Sequence, residues 1–374
     1  MAETLFDLSG DICYLNHAAV APWPASTVAA VEQFARENGR LGSLHYPRWL
    51  TTEQALREQM RSLVNAVSCD EIALLKNTSE ALSVVAYGLD WAPGDEVIIS
   101  DEEFPSNRIV WDSLQASFGI RVVQVRLRDQ SVPENAVINA ITSQTRLISI
   151  SSVQYGSGLA LDLASVGEAC RQAGIVFCVD AIQSIGVKPF DVQACHIDFA
   201  MADGHKWMLG PEGLALFYCR KEWQDKLALK QFGWHMVENI GDYDRTDWRP
   251  ADSARRFECG SPNMLAIHAL HASLSLLLST GIDAVFKQVS SRVEYLIEQL
   301  QQRDCEILSV TDPGRRAGIV TFRRPDVSTE KLHEHLMAQG VICAMRAGGI
   351  RFSPHFYTPF KAIDRAINAI FTLK

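Results

Sequence analysis

The sequence predicts an α/β protein: a mixed, mainly parallel sheet covered by helices on both faces, followed by a smaller α+β domain. Two observations carry this prediction. Between residues 70 and 220, short β-branched apolar runs bounded by turn formers alternate with amphipathic stretches, as strands joined by helical crossovers do. After about residue 250 a stretch rich in Pro, Asp, Ser and Arg breaks the alternation, and helices and strands then follow in mixed order.

Taken in order, strands are expected at 72–75, 96–100, 120–127, 147–153, 175–180, 199–201 and 214–218. Helices fit 79–88, 107–118 and 163–174, each opened or closed by Ser, Asn or Gly. Beyond 250, a helical region over 264–302 is interrupted near Thr280 and Gly281. Strands at 306–310 and 318–323, a helix at 329–339, strands at 341–345 and 350–353 and a closing helix at 360–373 complete the chain. The expected division is an N-terminal segment, 1–15, packing with the small domain, a large domain over 16–255 and the small domain over 256–374.

Composition narrows the function classes. A chain of 374 residues, 47% hydrophobic and 21% charged, is long enough for two cores, which excludes disordered, collagen-like and disulfide-scaffold readings. The net charge of −9 comes without any dense Lys/Arg run, so neither nucleic acid nor an anionic membrane is an expected partner. Nine dispersed cysteines, never in a C-x-x-C pair, argue against a disulfide framework or structural zinc. The start of the chain lacks the basic and apolar regions of a secretory signal, and no apolar run approaches ~18 residues. A cytoplasmic protein handling small molecules is expected.

The most informative segments are those around Val179-Asp180-Ala181-Ile182-Gln183 and Gly204-His205-Lys206-Trp207. An apolar run ending in Asp180 puts a carboxylate at the C-terminal end of a buried strand, where open α/β sheets bind ligands. A buried carboxylate is costly unless a positive group meets it, and Lys206 follows the next strand to the same edge. Spacing alone leaves a salt bridge or helix caps equally open. Pyridoxal phosphate chemistry needs both groups at once, a lysine to hold the aldehyde and a carboxylate to keep the pyridine nitrogen protonated. A Gly156-x-Gly158 pair lacks the third glycine and the spaced acid of a dinucleotide fingerprint.

From Tyr14-Leu15-Asn16-His17-Ala18-Ala19 to Arg351, with V-D-A-x-Q and H-K-W-x-x-G-P-x-G between them, the chain resembles the class V aminotransferases among the fold-type I pyridoxal 5′-phosphate enzymes. That family includes cysteine desulfurases, selenocysteine lyases, kynureninases and isopenicillin-N-epimerase-like proteins. The resemblance implies a Schiff base on Lys206, which also shuttles the α-proton of a small amino acid, with Asp180 on the pyridine nitrogen and Gln183 on the phenolic oxygen. It implies phosphate contacts from Thr78, Ser79 and His205, and a homodimer in which Ser261 of Gly260-Ser261-Pro262-Asn263 reaches the neighbouring subunit's site. Phe104 falls where the family stacks an aromatic ring on the cofactor. Gln154 falls at a strand end that contacts cofactor or substrate, and Arg351 where the family binds the α-carboxylate. His17, Trp234 and Tyr357 are implied to line the pocket, His17 on the substrate side.

Three features depart from the desulfurase pattern, the first being Phe104, where desulfurases usually have a histidine that can act as an acid above the ring. No cysteine precedes Arg351 on a loop, and Cys343 sits in an apolar strand pattern, so a buried thiol is expected rather than a sulfur-accepting nucleophile. Asp203 stands where desulfurases place a phosphate-binding serine; it is expected to turn away from the phosphate, or to bond lysine or backbone groups. The reaction is left as transamination or carbon–sulfur or carbon–selenium lysis, with epimerisation, kynureninase-like hydrolysis and an inactive scaffold as alternatives.

Overall fold

The computed structural model describes residues 5–128 and 131–373; the first four residues of the expected N-terminal segment lie outside that range. The chain opens with strand β1 (Cys13–Tyr14) and helices α1 (Ala25–Leu41) and α2 (Tyr46–Val64). No sequence expectation covers these helices. In α1 the fully buried residue is Thr27, and Phe34 packs partly buried against the core.

The large sheet follows as β2 (Ile72–Leu75), α3 (Thr78–Gly88), β3 (Glu96–Ser100), α4 (Ser106–Phe118), β4 (Arg121–Val125), α5 (Pro133–Asn139), β5 (Thr145–Ser151), α6 (Leu163–Ala173), β6 (Val176–Asp180), β7 (Phe199–Asp203) and β8 (Ala215–Cys219). Its strand order is β2-β8-β7-β6-β5-β3-β4. Strand β8 runs antiparallel to both neighbours, and the remaining pairings are parallel. All five residues of β6 are buried, which is why it reads as a continuous apolar run rather than an alternation. Strand β7 outlasts its expected end at 201 because Ala202 and Asp203 pair with Leu216 and Ala215 of β8. Helix α6 starts where Asp162 accepts the Ala164 and Ser165 amides, and stops at Gly174, at φ 68°.

A short helix, α7 (Lys221–Gln224), precedes α8 (Met264–Thr280) and α9 (Ile282–Gln301), which bend by 82° about Gly281. Among the described residues, no single helix is long and apolar enough to cross a membrane. Ser273 on α8 meets the Thr27 hydroxyl at 2.6 Å and donates to the Leu209 carbonyl at 2.8 Å, tying α1 and α8 to the loop after Lys206. The remainder is β9 (Glu306–Ile307), β10 (Val320–Arg323), α10 (Thr329–Ala338), β11 (Val341–Ile342), β12 (Ala344–Arg346), β13 (Gly349–Phe352) and α11 (Phe360–Thr372).

Strands β12-β13-β10-β9 make an antiparallel sheet, while β11 pairs in parallel with β1. The strand expected at 341–345 is therefore two strands in different sheets, parted at Cys343. A two-residue turn, Ala347-Gly348, joins β12 to β13 with φ values of 48° and 76°. That is the left-handed geometry a tight hairpin needs, and alanine adopts it at a cost that glycine does not incur.

Candidate active site

Parallel strands β6 and β7 lie side by side, so the end of one and the loop leaving the other meet at the same edge of the sheet. Asp180 closes β6 and accepts the Ile182 amide at 3.1 Å; Lys206 stands on the loop after β7. Both are buried. Burial pushes the Asp180 carboxyl up and the Lys206 ammonium down, and each charge draws the other back toward ionisation. Lys206 Nζ lies 5.5 Å from the centre of the Phe104 ring.

Next to this pair, Gln183 is fixed from two sides. Its Oε1 accepts the Trp207 indole N–H at 2.8 Å, and its Nε2 donates to the Ala18 carbonyl at 3.1 Å, leaving one amide N–H to spare. The approach of the Trp207 backbone requires glycine at 186: at φ 97°, a Cβ there would sit 2.5 Å from the Trp207 carbonyl oxygen.

A second wall is the start of α3, capped by Asn77, whose Oδ1 accepts the Glu80 amide at 2.9 Å. Ser79 donates its hydroxyl to Ser106 at 2.9 Å. The Thr78 Oγ1 is buried without a partner among the described residues. Asp203, at the end of β7, accepts the Thr78 backbone N–H at 2.6 Å, so its carboxylate takes a backbone donor. Burial raises its pKa to about 6. His205 Nδ1 stands 3.7 Å from Asp203 Oδ2; burial lowers this histidine to about 4, so it is neutral near pH 7.

The third wall comes from the C-terminal sheet. Arg351 on β13 donates to the Tyr155 carbonyl at 2.9 Å, and its Nε is buried without a partner among the described residues. Burial lowers its pKa to about 10, which leaves it charged near neutrality. Tyr155 meets Phe104 edge to face at 5.2 Å. These residues, with Arg346 and Glu212, enclose a cavity of about 290 Å³. Among the sequence-derived candidates, Thr78, Ser79, Phe104, Asp180, Gln183, His205, Lys206 and Arg351 all line it.

Others do not reach the cavity. His17 is fully buried beside β1, and its Nδ1 faces the Ser353 carbonyl at 2.7 Å. That nitrogen must carry the proton, so Nε2 accepts the Tyr357 hydroxyl at 2.6 Å. With both nitrogens engaged, His17 ties the N-terminal strand to the C-terminal sheet rather than facing substrate, and Tyr357 is its partner there. Gln154 is buried beneath the site, donating to Glu103 at 3.2 Å and Ser100 at 3.3 Å, with its Oε1 unpartnered among the described residues. Trp234 lines a different hollow, with Phe232, Tyr243 and Trp248. Ser261 is exposed.

Sequence reasoning passed over Glu103. This buried carboxylate accepts Ser100 Oγ at 2.7 Å, Asn107 Nδ2 at 2.8 Å and the Ser151 amide at 2.9 Å, and so fixes the loop that presents Phe104. The available signal was an acid immediately before the candidate stacking residue, at a strand end.

A family model described as aminotransferase class-V matches residues 13–364. The chain belongs to the class V aminotransferase family. Among its relatives, a probable cysteine desulfurase of Halalkalibacterium halodurans is 30% identical over 90% of this chain and 83% of its own length. The apo structure of a cysteine desulfurase from Thermococcus onnurineus NA1 superposes with a TM-score of 0.91 at 21% identity, covering 100% of this chain and 97% of that one. A C-DES variant with glycine covalently linked to its pyridoxal phosphate cofactor gives a TM-score of 0.91 at 22% identity over 98% of both chains. The fold is thus that of fold-type I enzymes, and this class V aminotransferase-family member is a pyridoxal 5′-phosphate enzyme. Its cavity fits the cofactor chemically: a buried amine, a buried carboxylate, a spare amide N–H, an aromatic face and an unpartnered hydroxyl at a helix start.

Proposed function

We propose that the enzyme cleaves the carbon–sulfur bond of a small sulfur-containing amino acid, with the sulfur leaving to solution rather than to a protein thiol. One observation carries this reading: Lys206, Asp180 and Arg351 line a single cavity, and none of the nine cysteines is on its wall. Cys343 is buried at the break between β11 and β12, and burial pushes its thiol up to about 12, far from a reactive thiolate. A cysteine-type substrate is supported by the Halalkalibacterium halodurans relative, a probable cysteine desulfurase.

When bound, the cofactor supplies an aldehyde for covalent attachment and an electron sink for the charge left by the α-proton. Lys206 would hold the aldehyde, and Asp180 would keep the pyridine nitrogen protonated. Gln183 offers its spare N–H to the phenolic oxygen. Thr78 and Ser79 offer their hydroxyls to the phosphate at the start of α3, with His205 at the same end, and Phe104 covers the ring face. Arg351 pairs its two-donor fork with the substrate α-carboxylate, and Lys206, as a free amine, carries the α-proton away. Gln154 supports the floor of the site through Glu103. For cysteine, one water enters, and pyruvate, ammonia and sulfide leave.

Phe104 favours transamination as a second reading, because a phenyl ring cannot donate a proton to a departing sulfur, whereas Lys206 alone can both remove the α-proton and return it at another carbon. The test is the visible spectrum of the holoenzyme with a panel of amino acids and no keto acid. A recovered absorption band with many equivalents of sulfide and pyruvate supports cleavage; a permanent loss of the band with one equivalent of keto acid supports transamination.

We further infer a homodimer with Ser261, exposed ahead of α8, contributing to the neighbouring phosphate site. A monomer in light scattering at assay concentration would overturn it.

A further inference from the structure

Asp203 holds the amide that a phosphate at the start of α3 would otherwise use, and it does so as an anion. Its Oδ1 accepts the Thr78 N–H at 2.6 Å, from the same threonine whose hydroxyl lies buried at the helix start. A carboxylate and a phosphate dianion cannot share one helix start without strong repulsion. A shared proton removes that repulsion and turns the pair into a donor and an acceptor. We propose that seating the cofactor phosphate draws a proton from solution onto Asp203, making cofactor affinity in this enzyme fall as the pH rises. The proposal rests on the reading of Thr78 and Ser79 as phosphate donors.

Among the described residues, the one other neutral base beside it is His205 on the same loop, 3.7 Å away, and replacing Asp203 alone separates the two; Lys206 acts on Asp203 as a cation. Glu212, on the segment leading to β8, and Asp180, at the end of β6, add negative charge. Helix α3 presents Thr78, and β8 places Ala215 opposite. Burial and Glu212 already lift the Asp203 carboxyl to about 6, so a dianion placed beside it lifts it further. Above pH 7 the free phosphate is already doubly charged, so the proton it shares with Asp203 has to come from solution.

The test uses the full chain stripped of cofactor and titrated with pyridoxine 5′-phosphate, which has no aldehyde and so cannot react with Lys206. Titration calorimetry at pH 8 in buffers of different ionisation enthalpy counts the protons taken up. The wild type is expected to take up about one proton more than Asp203→Asn, and to lose about tenfold more affinity per pH unit between pH 7.5 and 9. Asp203→Ser, which keeps a hydroxyl for the Thr78 amide, is expected to behave as Asp203→Asn does, and serves if the asparagine variant misfolds. Equal proton uptake and parallel pH profiles in wild type and variants would overturn the proposal and leave the phosphate site standing. Failure of the wild type to bind pyridoxine 5′-phosphate at any pH would remove the phosphate site itself, and the proposal with it.

Discussion

Trp207 donates its indole N–H to the Gln183 carboxamide oxygen at 2.8 Å, so the residue next to Lys206 sets which end of that amide faces the cavity. Trp207→Phe keeps an aromatic ring but leaves a buried oxygen unpaired. It should lower the unfolding free energy by about 1–3 kcal/mol and weaken cofactor retention as the amide loses its orientation. Denaturant titration and cofactor dissociation on dialysis check both. Unchanged retention would detach Gln183 from the cofactor.

Arg351 is buried with its fork only partly used, by the Tyr155 carbonyl at 2.9 Å. Arg351→Lys keeps the charge and loses the planar pair of donors. Steady-state kinetics should show KM rising about 10- to 100-fold, the value of a hydrogen bond to a charged group, with a smaller change in kcat. An unchanged KM would mean that the carboxylate sits elsewhere.

Cys343→Ala should leave sulfide release from cysteine within about twofold of wild type, since the thiol is buried away from the cavity wall and raised to about 12. Loss of sulfide release with the fold intact, by circular dichroism, would restore the thiol to the mechanism.

His17 carries a pH signature in stability rather than in turnover. Burial lowers it to about 4 in the folded protein, against 6.5 ordinarily. Between those values the unfolded chain binds the extra proton, so stability falls as the pH drops from 6.5 toward 4. His17→Asn removes up to one proton from that slope. The buried His355 is shifted the same way, so a shallower slope should remain. Melting temperatures across pH 4–7 for both proteins make the comparison; parallel curves would rule His17 out.

What could be read in the sequence follows from what the chemistry exposes along the chain. Asp180 and Lys206 are legible because a charged residue at the end of an apolar run stands out, and Arg351 because it interrupts one. His17 is not, since nothing local reveals that both its nitrogens are taken by Ser353 and Tyr357, more than 330 positions away in the chain. Glu103 is hidden for a related reason: Ser100, Asn107 and Ser151 gather around it only once β3, α4 and β5 have packed. The apolar run at 341–345 gave no sign of dividing, because both halves are apolar and only their partners differ.

The pairing of β1 with β11 bears on the order in which the molecule can be made. The Cys13 amide bonds the Gly340 carbonyl, Leu15 bonds Ile342, and Ser353 bonds back to Leu15. On the ribosome, the first fifteen residues emerge early and must wait until nearly the whole chain has been synthesised before they meet these partners. The Ala18 carbonyl, which steadies Gln183, waits with them. The contact that orients Gln183 is therefore among the last to form, and a nascent chain arrested before β11 would hold Lys206, Asp180 and the start of α3 without the N-terminal segment anchored beside them.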